Sequence, residues 1–331
     1  MDEHLVVIVA YDGVEALDIT CVRTPLTLSK AVGADPPYKV VLATPGGAWI
    51  ECDCGMEIRG QAVLERLKGP IDTLVVAGGL GHERAAADPL IVGHVRRLAL
   101  ESKRVASVCT GATVLAATGL LDGKTVATHW KFAATLQKLH PKIKVDPAPV
   151  YIIDADNKFA SSAGITCGLD LTLRLIEDDH GADVSRRVAQ ATVVYHQRPG
   201  NQKQMSMHMT LPVPQSPRIR RVVEFIGVNL AGDLSDPTLE RVAGLGERQL
   251  QRRFKSEMDM TPAVYVRQAR AQEAASMLVE QPSLPLDGVA RRCGFPSAAA
   301  LRRVFREVYS TSPSQYRERQ LTAHRTDRIT R

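Results

Sequence analysis

From Leu5 onward the chain alternates short β-branched apolar runs with helix-compatible stretches. The order is LVVIVAY (5–11), a helical stretch near Val14 to Val32, YKVVLAT (38–44), a helical stretch near Ala62 to Leu67, TLVVAGG (73–79), a helix opened by Asp88-Pro89, and RVASVC (104–109). Strands that are apolar on both faces need cover on both faces, and helices between successive strands supply it, so the pattern implies a parallel sheet sandwiched by helices. Ligands of such sheets gather at the carboxyl ends of the strands. Gly78-Gly79 and Cys109 both fall at those ends.

Cys109 is followed by Thr110, Gly111 and Ala112, a composition suited to a tight strand-to-helix turn that presents the thiol outward. A helix N-terminus at that point favours the thiolate. The amides of Thr110 and Gly79 are candidate donors to an oxyanion, and Gly78 and Gly79 line the candidate pocket with Thr110. His129, in KTVATHW, stands at a neighbouring predicted strand end, and Asp18 lies across the site in the first helical stretch. Taken singly, a cysteine in an apolar stretch is a small buried hydrophobe; the set of Cys109, His129 and Asp18 is what points to a pocket. Leu169, Leu171, Leu173 and Leu175 alternate like a strand, which leaves that stretch ambiguous. Six cysteines, with only Cys52 and Cys54 close together, form no disulfide framework, and CxC without clustered histidines is a weak metal signal. Neither metal nor cofactor is expected.

The longest apolar runs fall far short of the roughly 18 residues of a spanning helix. The start MDEH lacks a signal-peptide n-region, so a cytoplasmic protein without membrane contact is expected. With 331 residues the chain is long enough for two cores. Charge divides it further: residues 212 to 331 hold 20 Lys+Arg against 13 Asp+Glu, and residues 1 to 211 hold 22 against 23. All the positive excess is C-terminal, which implicates a polyanion. Between the halves RPGNQKQMSMHMTLPVPQSP (198–217) reads as a tether or irregular strap, with Met205, Met207 and Met209 spaced for an edge strand.

In the basic half, ERQLQRRF (247–254) and AAALRRVF (298–305) each place a leucine four residues before a phenylalanine, a pair that anchors one helix face inward. The opposite faces carry Arg248, Gln251, Arg252 and Lys255 in one copy and Arg302, Arg303 and Arg306 in the other. A short amphipathic helix ending at Gly244 or Gly294 precedes each, giving two helix-turn-helix units. Ser297 suits an N-cap and Gly246 is a poorer one. TPAVYVRQARAQEAASMLVE (261–280) reads as one continuous helix between the copies, about 28 Å long at about 1.5 Å per residue, against the roughly 34 Å pitch of B-DNA.

The basic half resembles the AraC/XylS-type DNA-binding domain, most fully over LPLDGVARRCGFPSAAALRRVFREVYSTSPSQYRER (284–319). That resemblance implies an all-α domain over 218–319 followed by a disordered basic tail at 320–331. It implies base and phosphate contacts from Arg248, Gln249, Arg252, Arg302, Arg303 and Arg306, with Gln251 and Lys255 on the same surface. The first half is similar to the DJ-1/PfpI superfamily, a flavodoxin-like fold, through EALD (15–18), VVAGGLG (75–81), VASVCTGA (105–112), GLLDGKTVATHW (119–130) and SSAGITCGLDLTLRLIEDDHG (161–181). It implies a domain over 4–197, a helix at the Leu169 stretch, Cys109 as elbow thiol, His129 as its base, Asp18 as the acid beside it, and Gly79 with Thr110 as amide donors. Thr110 stands where the PfpI proteases have histidine, which argues against proteolysis. Cys21-Val22 replaces the Gly-Pro of many relatives. Fusion in this order resembles the GlxA-like transcription regulators. The implied protein is a homodimeric regulator of promoter DNA, acting with RNA polymerase in the nucleoid, whose first domain senses a small-molecule effector. A DNA-tethered cysteine enzyme of amidase or hydratase type, or a thiol redox sensor, is the alternative.

Overall fold

The computed structural model describes residues 3–194, 197–198, 200–205, 212–309 and 311–323. It divides into two compact units, Met1–Gln204 and Met205–Arg331.

The first unit is built on a seven-stranded sheet. Its parallel strands are β1 (His4–Val9), β2 (Tyr38–Thr44), β5 (Ala62–Val63), β6 (Ile71–Val76), β7 (Ser102–Val108) and β11 (Phe159–Ser162); β10 (Tyr151–Ile153) closes one edge antiparallel to β11. The order is β10-β11-β7-β6-β1-β2-β5. Val6 to Val9 and Leu74 to Val76 are all buried because both faces are covered. One face carries α1 (Ala16–Ser29), α6 (Thr166–His180) and α7 (Ala182–Ala191); the other carries α3 (Pro89–Leu100) and α4 (Gly111–Ala117). The Leu169 stretch is therefore helix, with Leu171, Leu173 and Leu175 buried on the sheet. Asp88 caps α3 by accepting the Leu90 amide at 2.8 Å.

Two expectations are corrected. Ala62 to Leu67 is not a helix: Ala62-Val63 pairs with Ala43-Thr44 of β2 and only Leu64–Arg66 turns helically, because an edge position rewards two ladder bonds and burial of Leu64. The strand before His129, β8 (Thr125–Ala127), lies outside the main sheet, pairing instead with β9 (Lys144–Asp146). Cys52 is buried at a bridge to Val14, whereas Cys54 is exposed in the turn joining β3 (Trp49–Glu51) to β4 (Glu57–Arg59).

The second unit is helical: Pro217–Val228, Asp236–Ala243, Glu247–Met258, Pro262–Glu280, Leu286–Arg292, Ala298–Tyr309 and Pro313–Ala323. The helix Pro262–Glu280 is 19 residues long, capped by Thr261, and serves two cores. Tyr265, Val266 and Ala269 pack with Leu239, Leu250 and Phe254; Ala271, Ala274, Ala275 and Leu278 pack with Val289, Leu301 and Phe305. Each helix-turn-helix thus buries its leucine and phenylalanine against one half of a shared rod. The last helix continues through Ala323 rather than ending before residue 320, and residues 324–331, like Met207 and Met209, lie outside the described residues.

Candidate functional site

The elbow at the end of β7 is formed by Cys109 itself, which holds φ +55 between strand and helix. A non-glycine residue in that region costs on the order of 1–3 kcal/mol and persists only where its surroundings over-determine it. They do so here. The Cys109 amide donates to Ser162 O at 3.0 Å, and Thr128 Oγ1 donates to Cys109 O at 2.9 Å. Gly78 and Gly164 press in from two sides: a Cβ on Gly164 would sit 2.6 Å from the thiol sulfur, and one on Gly78 2.7 Å from Cys109 Cβ. Only glycine fits at either position.

Asp18, fully buried in the first turn of α1, holds the opposite wall. Its Oδ2 accepts the Gly78 amide at 3.1 Å and its Oδ1 accepts the Ile165 amide at 2.7 Å. Both bonds favour the carboxylate, yet burial outweighs them and lifts Asp18 to about 7. Burial likewise pushes the Cys109 thiol well above the ordinary range, with the negative charge of Asp18 adding to it and hydrogen bonds from Thr110 opposing it. Burial thus works against the thiolate that a helix terminus favours. The cysteine is only 6% exposed.

The amides expected at an oxyanion are occupied. Thr110 Oγ1 accepts the Gly79 amide at 2.8 Å and donates to Gly79 O at 2.9 Å, while the Gly78 amide belongs to Asp18. The Thr110 amide faces the Cys109 sulfur. His129 caps α5 (Trp130–Leu139), its Nδ1 accepting the Lys131 amide at 3.3 Å, and its ring stacks on Trp130 at 5.7 Å. Among the described residues no hydrogen bond joins His129 to Cys109. Burial and Lys131 hold its imidazole below the ordinary histidine range. Phe132 lies against His129 on one side and against buried His82 on the other, at 5.7 and 5.1 Å, and His82 Nδ1 meets Thr113 Oγ1 of α4 at 3.1 Å.

Gly164, Ile165 and Thr128 were not among the expected site residues, although each lies inside one of the motifs SSAGITCG (161–168) and KTVATHW (124–130). Nor were His82 and the Asp170–Arg198 pair. A cleft of about 270 Å³ between Tyr11, Asp12, Trp49 and Arg84 was missed as well. Its lining comes from three separated segments, and nothing local marks them. Tyr11 forms part of the cleft wall and donates to Ala77 O at 2.9 Å, immediately before the Gly78-Gly79 turn.

Residues 4–178 match the profile of the DJ-1/PfpI family. The chain belongs to the DJ-1/PfpI family. A helix-turn-helix domain profile matches residues 239–319 of the same chain. The regulator GbdR of Pseudomonas aeruginosa, an HTH-type transcriptional regulator, is 25% identical over 93% of this chain and 83% of its own. GlxA of Rhizobium meliloti, also an HTH-type transcriptional regulator, is 27% identical over 89% of this chain and 90% of its own. A crystal structure of a THiJ/PfpI family protein from Pseudomonas syringae shares the fold, with a TM-score of 0.53 and 19% identity over 74% of this chain and 92% of that one. This member of the DJ-1/PfpI family thus carries a second, helix-turn-helix module of the kind found in GlxA-like regulators.

In that module Gly244 and Gly294 take left-handed conformations, φ +61 and +76, and end the first helix of each unit. Ser297 Oγ accepts the Ala300 amide at 3.2 Å, whereas Gly246 offers no side chain to cap Glu247–Met258. Leu250, Phe254 and Met258 are buried on one helix, and Leu301, Val304 and Phe305 on the other. Arg248, Gln249, Arg252 and Lys255 are exposed, as are Arg302, Arg303 and Arg306. Gln251 is half-buried, its amide reaching Asp236 Oδ1 at 3.4 Å. No salt bridge to these arginines occurs among the described residues, so their charge faces solvent.

Proposed function

We propose that this protein is a DNA-binding transcription regulator whose first domain senses a small molecule. The observation that carries the reading is the pair of helices Glu247–Met258 and Ala298–Tyr309, each with its hydrophobic side buried and its arginines unpaired, packed on one 19-residue rod. A single chain so built can address two neighbouring major grooves, with Arg248, Gln249, Arg252, Arg302, Arg303 and Arg306 at bases and phosphates and Gln251 and Lys255 beside them. The relatives GbdR and GlxA, named as transcriptional regulators, support the same reading over most of both chains.

The sensing domain extends over 4–197 and the DNA-binding domain over 218–319. The tight packing around Cys109 leaves the cleft at Tyr11, Trp49 and Arg84 as the roomier place for an effector at this sheet end. An effector that changes operator affinity tenfold binds one state more tightly by about 1.4 kcal/mol. A homodimer in the cytoplasm, bound to promoter DNA beside RNA polymerase, doubles the half-sites read.

The test is selection of genomic fragments by the full-length protein across a salt series, repeated with Arg252→Ala/Arg303→Ala. Retention of particular fragments, falling steeply with salt and lost in the double variant, supports the proposal; equal, weak retention of all sequences overturns it. A second reading, a cysteine enzyme held on DNA, draws on the strained φ of Cys109. It requires turnover of an amide, aldehyde or isonitrile that disappears in Cys109→Ala.

A further inference from the structure

Arg198 and residues 200–204, at the end of the first unit, are held in place. They are fastened to the Cys109 site at two points. At the first, the Arg198 amide donates to Asp170 Oδ1 at 2.7 Å, its Nε to Asp170 Oδ2 at 2.8 Å, and its Nη2 to Thr166 Oγ1 at 2.8 Å. Asp170 and Thr166 both lie on α6. That helix begins immediately after Gly164 and Ile165, whose backbone presses on the Cys109 sulfur and donates to Asp18. At the far end, Gln204 Nε2 donates to Thr128 O at 2.9 Å and Gln204 Oε1 accepts the Trp130 amide at 3.1 Å. Thr128 is the residue whose hydroxyl holds Cys109 O, and His129 lies between the two groups that Gln204 grips.

Residues 200–204 lie along the edge of the sheet. Gly200 O accepts the Tyr151 amide at 3.1 Å, Gln202 O accepts the Val150 amide at 2.8 Å, and the Gln204 amide donates to Ala148 O at 2.8 Å. Gly200 rests on the Tyr151 ring, where a Cβ would come within 2.6 Å. The first unit ends at Gln204, and the helix-turn-helix module follows in the sequence.

We propose that Arg198 and residues 200–204 act as a strap that couples the Cys109 site to the DNA-binding module, with Arg198 and Gln204 as its positioning residues. This rests on the regulator reading for the module but not for the strap itself. Arg198 binds Thr166, two residues after the Gly164 that crowds the Cys109 sulfur, and Gln204 binds the carbonyl of Thr128, whose hydroxyl holds Cys109 O. A change at the elbow that moves the start of α6 or the Thr128 carbonyl must loosen a fastening, and pulling on the strap must loosen the elbow, since coupling between two sites acts equally in both directions.

The reciprocal direction is measurable without knowing the effector. Full-length protein is pulsed with iodoacetamide and the labelling of each cysteine is followed by mass spectrometry. Exposed Cys54 serves as the fast reference and Cys293, buried in the second unit, as the slow one. Gln204→Ala removes one fastening without leaving a buried charge unpaired, and Arg198→Lys keeps the charge opposite Asp170 while losing the fork. Both are expected to label Cys109 about tenfold faster than the wild type, with Cys293 unchanged. In the wild type a retained DNA fragment shifts the Cys109 rate, and in Gln204→Ala it no longer does. Wild-type Cys109 rates in both variants, a parallel rise at Cys293, or a wild-type rate indifferent to bound DNA overturns the strap. If no fragment is retained at all, the regulator reading falls, while the labelling of the two variants still decides whether the strap holds the elbow.

Discussion

Asp18→Asn tests whether the wall beside Cys109 holds a protonated carboxyl. In the folded chain burial raises this group from 3.8 to about 7, so it stays neutral where an unfolded chain would have ionised it. Its contribution to stability is complete below pH 3.8 and is lost as pH rises to about 7. The loss runs at about 1.4 kcal/mol per pH unit over roughly three units, or about 4 kcal/mol in all. Asparagine does not titrate. It keeps one acceptor for the amides of Gly78 and Ile165 and leaves the other amide without one, a pH-independent cost of about 1–3 kcal/mol. The assay is urea unfolding of wild type and variant at intervals from pH 4 to 8, following the transition of the first unit. The variant is expected to start less stable at pH 4 and to gain on the wild type by about 4 kcal/mol up to pH 7.5. Groups such as Asp72 and Asp154, held low by Lys103 and Lys124, titrate in both proteins and cancel in the difference. A difference that is flat with pH, or that moves against the variant, refutes the reasoning and means that the two amides keep Asp18 ionised.

Glycine positions in the second unit give a matched pair. Gly294→Ala places a Cβ 2.1 Å from Leu230 O at φ +76 and should disrupt the second helix-turn-helix, whereas Gly244→Ala, at φ +61 with open space around it, should cost about 1 kcal/mol; thermal melts of both variants read the contrast. Gly246→Ser supplies the missing cap of Glu247–Met258 in an extended conformation with nothing within 4 Å, so it should raise stability by about 0.5–1 kcal/mol, and an unchanged or lower melting point contradicts this. Arg303→Ala should lower affinity for a selected operator by about 1–3 kcal/mol and relax one base position if the side chain reads a base; in a competition assay an even loss over all sequences makes it a phosphate contact.

Much of this architecture follows from local pattern. Apolar runs such as Val6 to Val9 are buried on both faces wherever they sit in the sheet, so their alternation with helices carries the layer order by itself. The inward leucine and phenylalanine of each basic helix, Leu250 with Phe254 and Leu301 with Phe305, are set by helical period, and the arginines fall opposite them for the same reason. Gly244 and Gly294 suit left-handed backbone angles that favour glycine, which is a property of one residue and its neighbours.

What needed the third dimension is everything settled by burial or by partners far along the chain. Whether Cys109 is a thiolate depends on the competition between a helix terminus and desolvation, and desolvation is a sum over neighbours such as Gly78, Gly164 and Asp18 that no spacing rule brings together. The short edge strand Ala62-Val63 exists because β2 offers it a ladder, against its helical composition. Arg198 meets Asp170 across 28 positions and Gln204 meets Thr128 across 76, so the strap is invisible in the sequence. Short-range order is written in periodicity and backbone preference; protonation, room for a ligand and long-range fastening are decided only when the chain closes on itself.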